Sequence, residues 1–336
     1  MKILLINHYA GSPNLGMEFR PYYVTKGWVK LGHEVLIVGG SYSHLRKVQP
    51  QSCEEMIDDM RYRWVKVNPY KGNGIGRIIS MFSFVTKLYC NYRRYLRNFK
   101  PDIVIASSTY PLDIYPAYRI ARHYHAKLIY EVHDLWPLSP MELGGYSKKH
   151  PFIRIMQKAE DDCYRYADAV VSMLPKAEEH MREHGLTRDK FHYVPNGIVL
   201  SDWNNPKGIP EEHGLLLSKL RAEGKFIVGF AGAHGIANSL YAVIDAVSSL
   251  TEQNVVLVLV GGGQEKENLI KYAHKKGVTN VYFLLPINKL AIPNLLKEMD
   301  VLYIGLQKQS LFRFGISPNK MFDYMMAAKP IIQAID

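Results

Sequence analysis

Short apolar runs alternate with longer amphipathic segments along most of the chain. The runs are bounded by polar or glycine-containing turns, which is typical of strands buried on both faces, and the segments between them carry apolar residues at helical spacing. Strands that alternate with helices predict parallel sheets and an α/β fold. The predicted strands span residues 2–7, 33–38, 101–108, 127–132, 169–173, 225–231, 255–260, 281–286 and 300–304.

A strand, a glycine-containing loop and a helix follow one another at the start of each half of the chain. The first such unit has its helix from about residue 17, and the second begins at residue 225. A chain of 336 residues also exceeds what one hydrophobic core usually serves. We therefore predict an α/β protein with two Rossmann-like domains whose parallel sheets face each other across a cleft. The predicted parts are residues 1–200, a linker at 201–224, and residues 225–336.

Basic residues outnumber acidic ones, 42 to 31, which gives a formal net charge of +11. This excess indicates an anionic partner, namely nucleic acid, acidic lipid or a phosphorylated ligand, unless it only forms a solvated surface. Nucleic acid is disfavoured because the basic residues cluster in one amphipathic stretch and no recognition motif is present. The three cysteines form no Cys-x-x-Cys pair, and no apolar run reaches the length of a membrane-spanning helix. We expect a cytoplasmic protein whose membrane contact is peripheral.

Residues 72–100 combine basic side chains with phenylalanine, tyrosine and isoleucine at helical spacing. This combination is typical of basic amphipathic helices that lie on an anionic bilayer surface. The same spacing also occurs in a helix that packs on a sheet and leaves a basic face in water. Both interpretations remain open from the sequence. The candidate membrane contacts are Arg77, Lys87, Arg93, Arg94 and Arg97.

A histidine follows the predicted strand at residues 127–132. Side chains at the carboxyl ends of parallel strands reach the ligand crevice of an α/β protein, so His133 is a candidate catalytic residue. Its neighbours Glu131 and Asp134 are candidates to orient the imidazole or to hold a substrate hydroxyl. A lone histidine is usually structural, but the two flanking carboxylates favour a functional role.

A loop that leads into a helix near the end of the chain has the features of an anion site. Residues 314–318 contain a Gly-Ile-Ser-Pro turn, and the helix after them precedes a buried strand at 330–332. Unpaired backbone N–H groups at a helix N-terminus suit an anionic group. Asp323 lies one turn into this helix, where a carboxylate is better placed to hold a sugar hydroxyl than the phosphate itself.

These segments, in this order, resemble the retaining glycosyltransferases of family 4, which have the two-Rossmann-domain (GT-B) architecture and include polysaccharide-assembly enzymes. The resemblance spans the whole chain. It implies a nucleotide-sugar donor, with a UDP-sugar favoured, bound by the second domain. It also implies a C-terminal truncation, because similar enzymes continue past residue 336. The matching motifs are Asn14-Leu15-Gly16, residues 131–137, Val194-Pro195-Asn196-Gly197, Gly232-Ala233-His234-Gly235, Val260–Gly263 and residues 314–330.

The resemblance assigns roles residue by residue, with two departures. Asp323 matches the second of the family's paired glutamates and is expected to hold the ribose hydroxyls, but the first glutamate falls on Gly315. The family's basic pair is missing from the loop after residue 231, so Lys320, Arg313 or Lys308 is expected to balance the charge of the leaving diphosphate. Lys320 is preferred as the catalytic residue because it lies in the motif. The other implied donor contacts are Gly16, Gly232, Gly263, Leu285, Pro286, Phe314, Ile316 and Ser317; the implied acceptor or sugar contacts are Asn14, Glu131 and Asp134, with His133 near the transferred sugar.

The implied reaction is transfer with retention, in which the departing diphosphate helps to deprotonate the acceptor hydroxyl. No metal or other cofactor is expected, and the sequence contains no Asp-x-Asp pair. The basic stretch favours a polyprenyl-diphosphate-linked or saccharide acceptor at the inner face of the bacterial cytoplasmic membrane, as in lipopolysaccharide, O-antigen or capsule synthesis. Two alternatives stay open: an epimerase or phosphorylase of the same fold, and a non-catalytic module that binds a nucleotide sugar or a membrane.

Overall fold

The computed structural model describes residues 1–16, 19–72 and 74–335. The predicted start of the first helix at residues 17 and 18, and the predicted end of the second domain at 336, lie outside the described residues. Packing divides the chain into two compact units, each with its own sheet and core. The first unit comprises Met1–Pro195 and Ser310–Ile316, and the second comprises Asn196–Gln309 and Ser317–Asp336.

The first unit is built on an eight-stranded sheet. Its strands are β1 (Lys2–Ile6), β2 (Glu34–Gly40), β3 (Glu54–Ile57), β4 (Met60–Val65), β5 (Ile103–Ala106), β6 (Lys127–Val132), β7 (Ala169–Ser172) and β8 (Phe191–Tyr193). They lie in the order β3-β4-β2-β1-β5-β6-β7-β8, and β3 pairs antiparallel with β4 while the other pairs are parallel. The chain winds from β1 toward one edge and from β5 toward the other. The carboxyl ends of β1 and β5 therefore mark the reversal at which α/β sheets bind ligands.

Helices cover both faces of this sheet. They are α1 (Phe19–Lys30), α2 (Ile75–Leu96), α3 (Ile114–Tyr124), α4 (Leu138–Gly144), α5 (Pro151–Tyr166) and α6 (Glu178–Glu183). Leu4 and Ile6 of β1 belong to the core cluster that holds the apolar stripes of α2, α3 and α5. Ile3 and Leu5 belong to a second cluster with Tyr22 of α1. Because alternate residues of one strand enter different layers, the strands are apolar on both faces.

The second unit repeats this plan on a five-stranded, parallel sheet. Its strands are β9 (Phe226–Ala231), β10 (Val255–Val260), β11 (Val281–Leu284), β12 (Val301–Gly305) and β13 (Ile331–Ala334), in the order β11-β10-β9-β12-β13. Its helices are α7 (Leu200–Asn204), α8 (Glu211–Ala222), α9 (Leu240–Ser248), α10 (Lys266–Lys275), α11 (Ile292–Lys297) and α12 (Asn319–Met326). The strand order reverses between β9 and β12, so the ligand-binding edge of this sheet lies at their carboxyl ends.

The stretch predicted as a linker, residues 201–224, is instead part of the second unit. It contains most of α7 and all of α8, and Leu217 and Leu220 of α8 are buried in the core cluster that also holds residues of β9 and β10. Its polar and glycine-containing sequence concealed this because α8 buries only a narrow apolar face. The unit boundary falls between Pro195 and Asn196.

The basic stretch forms one long helix, α2, which leaves helical geometry at Asn91. Its apolar stripe, including Met81, Phe84 and Leu88, is buried in the core of the first unit. A helix packed on the sheet therefore accounts for most of the apolar spacing that had also indicated a membrane-surface helix. Across the described ranges, no helix combines the length and the apolar character needed to cross a membrane.

Candidate functional site

The candidate site of the first unit lies where the sheet reverses its winding direction. The Asn7 side chain, directly after β1, donates a hydrogen bond to the Ser107 carbonyl at 2.6 Å. The backbone N–H of His8 donates to the Ser108 hydroxyl at 3.0 Å. These bonds join the loops after β1 and β5 and give a fixed edge on which other side chains are placed.

His133 follows β6, and its imidazole lies against this joined edge. Its Nε2 is 3.0 Å from the Ser107 hydroxyl oxygen and 3.3 Å from Oε2 of Glu131. The Ser107 hydroxyl also donates to Oε2 of Glu131 at 2.6 Å. The structure thus brings His133 to the carboxyl end of a parallel strand, where it was expected, and two partners restrain the ring.

Glu131 contacts the imidazole of His133, as one of its two predicted roles requires. Its Oε1 accepts a hydrogen bond from Nε of Arg20 at 3.0 Å, and its Oε2 is held by Ser107 and His133. Burial alone would raise the pKa of Glu131, but its hydrogen bond to His133 and the charges of His133 and Arg20 outweigh burial and lower the pKa to about 2. These bonds place Glu131 to orient the imidazole of His133, and its predicted contact with a sugar hydroxyl stays a prediction.

Arg20 is a site residue that sequence reasoning missed. Besides Glu131, its guanidinium donates to the carbonyl oxygens of Val194 and Pro195, each at 2.9 Å. It thereby connects α1, β6 and the segment after β8. The available signal was its place in the helix after the Gly16 loop together with the Val-Pro-Asn-Gly motif, but neither fixes the pairing with Glu131, 111 residues away.

Arg77 does not share the surroundings of the other predicted membrane contacts. Its Nε donates to the hydroxyl of Tyr9 at 3.0 Å, and its guanidinium lies over the rings of Tyr9 and Trp136. This half-buried position removes Arg77 from the predicted membrane set. The side chain of Lys87 is also held by the protein, because its ammonium group donates a hydrogen bond to the carbonyl of Lys66 at 2.7 Å. The exposed basic residues of the set are Arg93, Arg94 and Arg97.

The predicted contacts in the loop after β1 lie at different depths. Asn14 is exposed, whereas Gly16 has a left-handed φ of 95° and its N–H donates to the Ser12 carbonyl at 2.9 Å. A Cβ at Gly16 would come within 2.9 Å of Cγ of Lys47. Glycine is therefore required here by the local turn as well. Asp134, next to His133, is exposed and remains a candidate acceptor contact.

In the second unit, the glycine loops after β9 and β10 meet backbone to backbone. The His234 N–H donates to the Gly262 carbonyl at 2.8 Å, and the Gly232 N–H donates to the Val260 carbonyl at 3.0 Å. A Cβ at Gly263 would lie 2.4 Å from the His234 carbonyl oxygen, so this approach excludes any side chain. Burial and the charge of Lys266 lower the pKa of His234 to about 4, so this histidine is neutral at pH 7 and does not replace the missing basic pair.

Lys320, at the start of α12, lies beside these loops. Its ammonium group donates to the side-chain oxygen of Asn238 and lies 4.6 Å from the centroid of the Phe230 ring. A Cβ at Gly232 would be 3.5 Å from Cε of Lys320, so the lysine lies directly against the first glycine loop. Burial lowers the pKa of Lys320 to about 8. A partly buried ammonium group at a helix start, next to a glycine loop, suits a phosphate group.

Asp323 lies one turn further along α12 and is buried. Its Oδ2 accepts a hydrogen bond from the ammonium group of Lys289 at 2.7 Å. The sequence indicated Asp323 but gave no sign of Lys289, which comes shortly after the predicted base-lining residues Leu285 and Pro286. Those two are exposed, and the Leu285 carbonyl is 2.8 Å from Nε2 of His213. A ribose bound at Asp323 would therefore share the carboxylate with Lys289.

The predicted donor turn is divided between the two units. Phe314, Gly315 and Ile316 belong to the first unit, and Ser317 belongs to the second. The Phe314 carbonyl accepts a hydrogen bond from the Lys176 N–H at 2.9 Å. The hydroxyl and carbonyl oxygens of Ser317 accept bonds from Asn196 at 3.1 and 2.7 Å. The predicted contribution of this turn to donor binding stays a prediction.

Gly315, which replaces a glutamate of the family motif, is fixed by its surroundings. Its φ is 89°, a conformation that side chains rarely adopt, and a Cβ would come within 2.6 Å of Cγ of Pro175. A glutamate cannot take this position without a local rearrangement. The preceding Arg313, an alternative phosphate partner in the sequence, forms a two-pronged ion pair with Glu142 at 2.7 and 2.9 Å. This pair favours Lys320 over Arg313 as the phosphate contact.

Two family descriptions together account for most of the chain. The glycosyl transferase 4-like domain matches residues 16–197, and the glycosyl transferases group 1 family matches residues 217–332. The chain belongs to the family 4 glycosyltransferases. Among curated relatives of this glycosyltransferase is TuaH of Bacillus subtilis (strain 168), a candidate teichuronic acid biosynthesis glycosyltransferase, which is 24% identical over 215 residues. The match covers 61% of this chain and spans half the length of that relative.

Solved structures confirm the GT-B fold of this glycosyltransferase. Anabaena Alr3699/HepE, solved with UDP, has a TM-score of 0.68 at 17% identity, over 99% of this chain and 80% of its own. Sucrose-phosphate synthase from Thermosynechococcus elongatus has a TM-score of 0.71 at 15% identity, with the same coverage. WaaG, involved in lipopolysaccharide biosynthesis, has a TM-score of 0.63 at 16% identity, again over 99% and 80%. The expected α/β architecture with two Rossmann-like domains is thus confirmed.

Proposed function

We propose that this protein transfers a sugar from a UDP-sugar to a lipid-linked or saccharide acceptor in the synthesis of a cell-surface polysaccharide. The observation that carries the proposal is Lys320, a partly buried ammonium group against the glycine loop after β9. The relatives support the same chemistry: HepE was solved with UDP and with UDP-glucose, and TuaH and WaaG are named for teichuronic acid and lipopolysaccharide biosynthesis.

The donor is proposed to bind to the second unit. Lys320 and the N–H groups at the start of α12 would hold the diphosphate, Asp323 would hold the ribose hydroxyls, and Leu285 and Pro286 would line the base. Lys320 suits this role because burial disfavours its charged form and lowers its pKa. The negative charge of a bound diphosphate would stabilise the ammonium group again. In this proposal the lysine balances the charge of the diphosphate, so no metal is required there.

The reaction proposed is transfer with retention of configuration. The bond between the anomeric carbon and the diphosphate oxygen breaks, the bond from that carbon to the acceptor oxygen forms, and the acceptor proton passes to the departing diphosphate. His133 would contact the transferred sugar, with Glu131 and Ser107 fixing its ring. This assigns orientation to the first unit and charge stabilisation to the second.

The test is UDP release from a panel of sugar nucleotides, with and without a bacterial lipid extract. We expect release from at least one UDP-sugar that depends on the extract, and a product whose anomeric configuration by NMR matches that of the donor. A product of inverted configuration would refute retention. Formation of an epimerised nucleotide sugar would favour the epimerase, and a thermal shift with UDP but no turnover of any donor would favour the non-catalytic module.

Peripheral binding to the inner face of the cytoplasmic membrane is part of the proposal. It now rests on the exposed residues Arg93 and Arg94 of α2 and Arg97 directly after it, and on the exposed apolar side chains of Ile75 and Ile79 in α2. Replacing the three arginines with glutamate should release the protein from vesicles that contain anionic lipid. Equal binding of this variant and the unchanged protein would refute membrane contact through α2.

A further inference from the structure

Two histidines and two carboxylates of the first unit converge away from His133. Glu160 and Asp161 lie on α5, His180 lies on α6, and His184 follows that helix directly. The histidines are four residues apart, a spacing that puts both rings on one side of a helical turn. Ligand atoms of Glu160, His180 and His184 all lie within 4.8 Å of one another.

The distances between these groups are close to those in a metal site. Nε2 of His180 is 3.2 Å from Oε1 of Glu160, and Nδ1 of His184 is 3.0 Å from Oδ1 of Asp161. In a tetrahedral zinc site, with bonds of about 2.0–2.1 Å, neighbouring ligand atoms are about 3.3 Å apart. Ligand atoms of Glu160, His180 and His184 lie within 4.8 Å of one another and must approach by up to about 1.5 Å to share one ion, while Asp161, beside His184, is placed to supply a fourth ligand atom.

The side chain of Gln157 marks the point on which these groups converge. Its amide nitrogen is 2.8 Å from Oε2 of Glu160, 2.9 Å from Oδ1 of Asp161 and 2.8 Å from Nδ1 of His184. An amide group has only two hydrogens and cannot donate to three acceptors at once. Metal binding requires a neutral imidazole, whose Nδ1 then joins the two carboxylate oxygens as a third acceptor at this position, and a cation satisfies three acceptors better than the amide does.

The charge of the cluster also favours a cation. The side chain of Glu160 is only 1% exposed, and its ion-pair partner is His180; the partner of Asp161 is His184. Both carboxylates thus depend on histidines for their charge balance, whereas the adjacent Asp162 has a lysine and an arginine. A buried carboxylate that is not paired with a strong cation has a large desolvation cost, which a metal ion would offset.

An entry path and a supporting shell are present as well. Gln157, Asp161, His180 and His184 contribute to the lining of a cavity of about 920 Å³. The hydroxyl of Tyr164 donates to Oε1 of Glu160 at 2.9 Å, which fixes the carboxylate from behind. Outer partners of this kind hold metal ligands in orientation.

We propose that Glu160, Asp161, His180 and His184 bind a divalent first-row metal ion, with Zn²⁺ as the best match for two imidazoles and two carboxylates. The ion displaces the amide of Gln157. It links α5 to α6, and the His180 ring lies 5.5 Å from the ring of Phe314 in the segment Ser310–Ile316. The site therefore stabilises the surface on which that segment packs.

The test is a titration of the metal-free protein with Co²⁺, followed by the visible absorption of tetrahedral Co²⁺, and then with Zn²⁺ as a competitor. We expect a saturable band that Zn²⁺ abolishes, and a rise in melting temperature with Zn²⁺ because the ion binds only the folded chain. Absence of the band would overturn the proposal. This readout does not depend on glycosyl transfer, so the two proposals can fail separately.

Four variants distinguish a built site from chance binding. His184→Ala should weaken Co²⁺ affinity by at least about tenfold, and His184→Gln should do the same if the alanine variant misfolds. The control is His192→Ala, since this exposed histidine of the same unit should have no effect. Gln157→Ala should bind at least as tightly as the unchanged protein because no amide has to leave. Equal loss in the His184 and His192 variants would refute the assignment, as would a weaker Gln157→Ala site.

Discussion

The two units prepare their candidate sites in opposite ways. In the first unit, the charge of Glu131 is balanced by Arg20 and by the imidazole of His133, and its pKa is lowered to about 2. In the second unit, the described contacts of Lys320 are an amide oxygen and an aromatic ring, and burial lowers its pKa to about 8. The first site already holds its carboxylate in ion pairs without substrate, whereas the second carries a cation that an anionic ligand would stabilise.

This difference matches the division of work in the proposed reaction. A residue that orients an acceptor or a transferred sugar must hold one geometry, and a paired, buried network provides it. A residue that balances a departing diphosphate should gain most when the negative charge develops. Asp323 has features of both sites. It is already paired with Lys289, and in the proposed reaction a ribose hydroxyl would also bind this carboxylate.

The largest effect is expected from Glu131→Gln. Arg20 and His133 lose the anion that they share, and removing one partner of a buried ion pair costs about 3 kcal/mol or more of folding free energy. Urea unfolding should show this loss, and turnover should fall while UDP affinity stays unchanged. Glu34→Gln, at an exposed pair with Lys2, is the control and should cost less than about 1 kcal/mol. A parallel loss of UDP affinity would contradict the separation of the two sites.

The same variant gives a pH test of the first site. The folded pKa of Glu131 is about 2, below its ordinary value of 4.5, so its ionised form stabilises the folded state above pH 4.5 and this stabilisation is lost as the pH falls toward 2. The stability difference between the unchanged protein and Glu131→Gln should therefore shrink between pH 4.5 and pH 2. A constant difference across this range would assign the loss to packing instead of charge.

Lys320→Met should have the largest effect on the second site. Loss of a charge-assisted contact to the diphosphate should weaken UDP binding by about 30- to 100-fold, measured by calorimetry. Stability should not fall, because the variant no longer buries an ammonium group. Lys271→Met, at an exposed position of α10, is the matched control. A destabilised Lys320→Met protein with unchanged UDP affinity would make this lysine structural and would break the comparison.

The sequence predicted the parts of this comparison that depend on local pattern. Buried strands, glycine loops at their carboxyl ends, and His133 directly after β6 all follow from short segments. The first-unit placement of Ser310–Ile316 and the inclusion of α8 in the second unit did not follow, because both depend on packing between distant segments. In the sequence, a helix with a narrow apolar face cannot be distinguished from a linker until the surface on which it packs is known.

The ion-pair partners of Glu131 and Asp323 also could not be predicted from the sequence. Arg20 and Glu131 are 111 residues apart, and Lys289 and Asp323 are 34 residues apart. No periodicity relates such positions, since only the sheet order brings them together. The absence of the motif glutamate at Gly315 was evident from the sequence, but its physical reason, a left-handed φ in close contact with Pro175, is visible only in the folded structure.

A smaller effect is expected from pH on UDP affinity. Lys320 has a folded pKa of about 8, so in the free protein its charge is present below pH 8 and is lost as the pH rises above it. Affinity for UDP should fall by about tenfold between pH 7 and pH 9. The Lys320→Met protein has no such charge, so it should show a flatter profile in the same buffers. If UDP affinity falls equally with pH in both proteins, only the titration of UDP causes the fall. Lys320 would then not be the phosphate contact.

The smallest effect, about fivefold, is expected from Asp323→Asn, which replaces a charged acceptor of the ribose hydroxyls by a neutral one. The complication is Lys289, because this variant also breaks the ion pair. Lys289→Met alone and the double variant resolve the two roles by a double-mutant cycle. If Asp323 contacts ribose, Asp323→Asn should weaken UDP binding in the Lys289→Met background as well. If Asp323 only restrains Lys289, that second loss should vanish, and the second unit would then hold its donor through phosphate contacts alone.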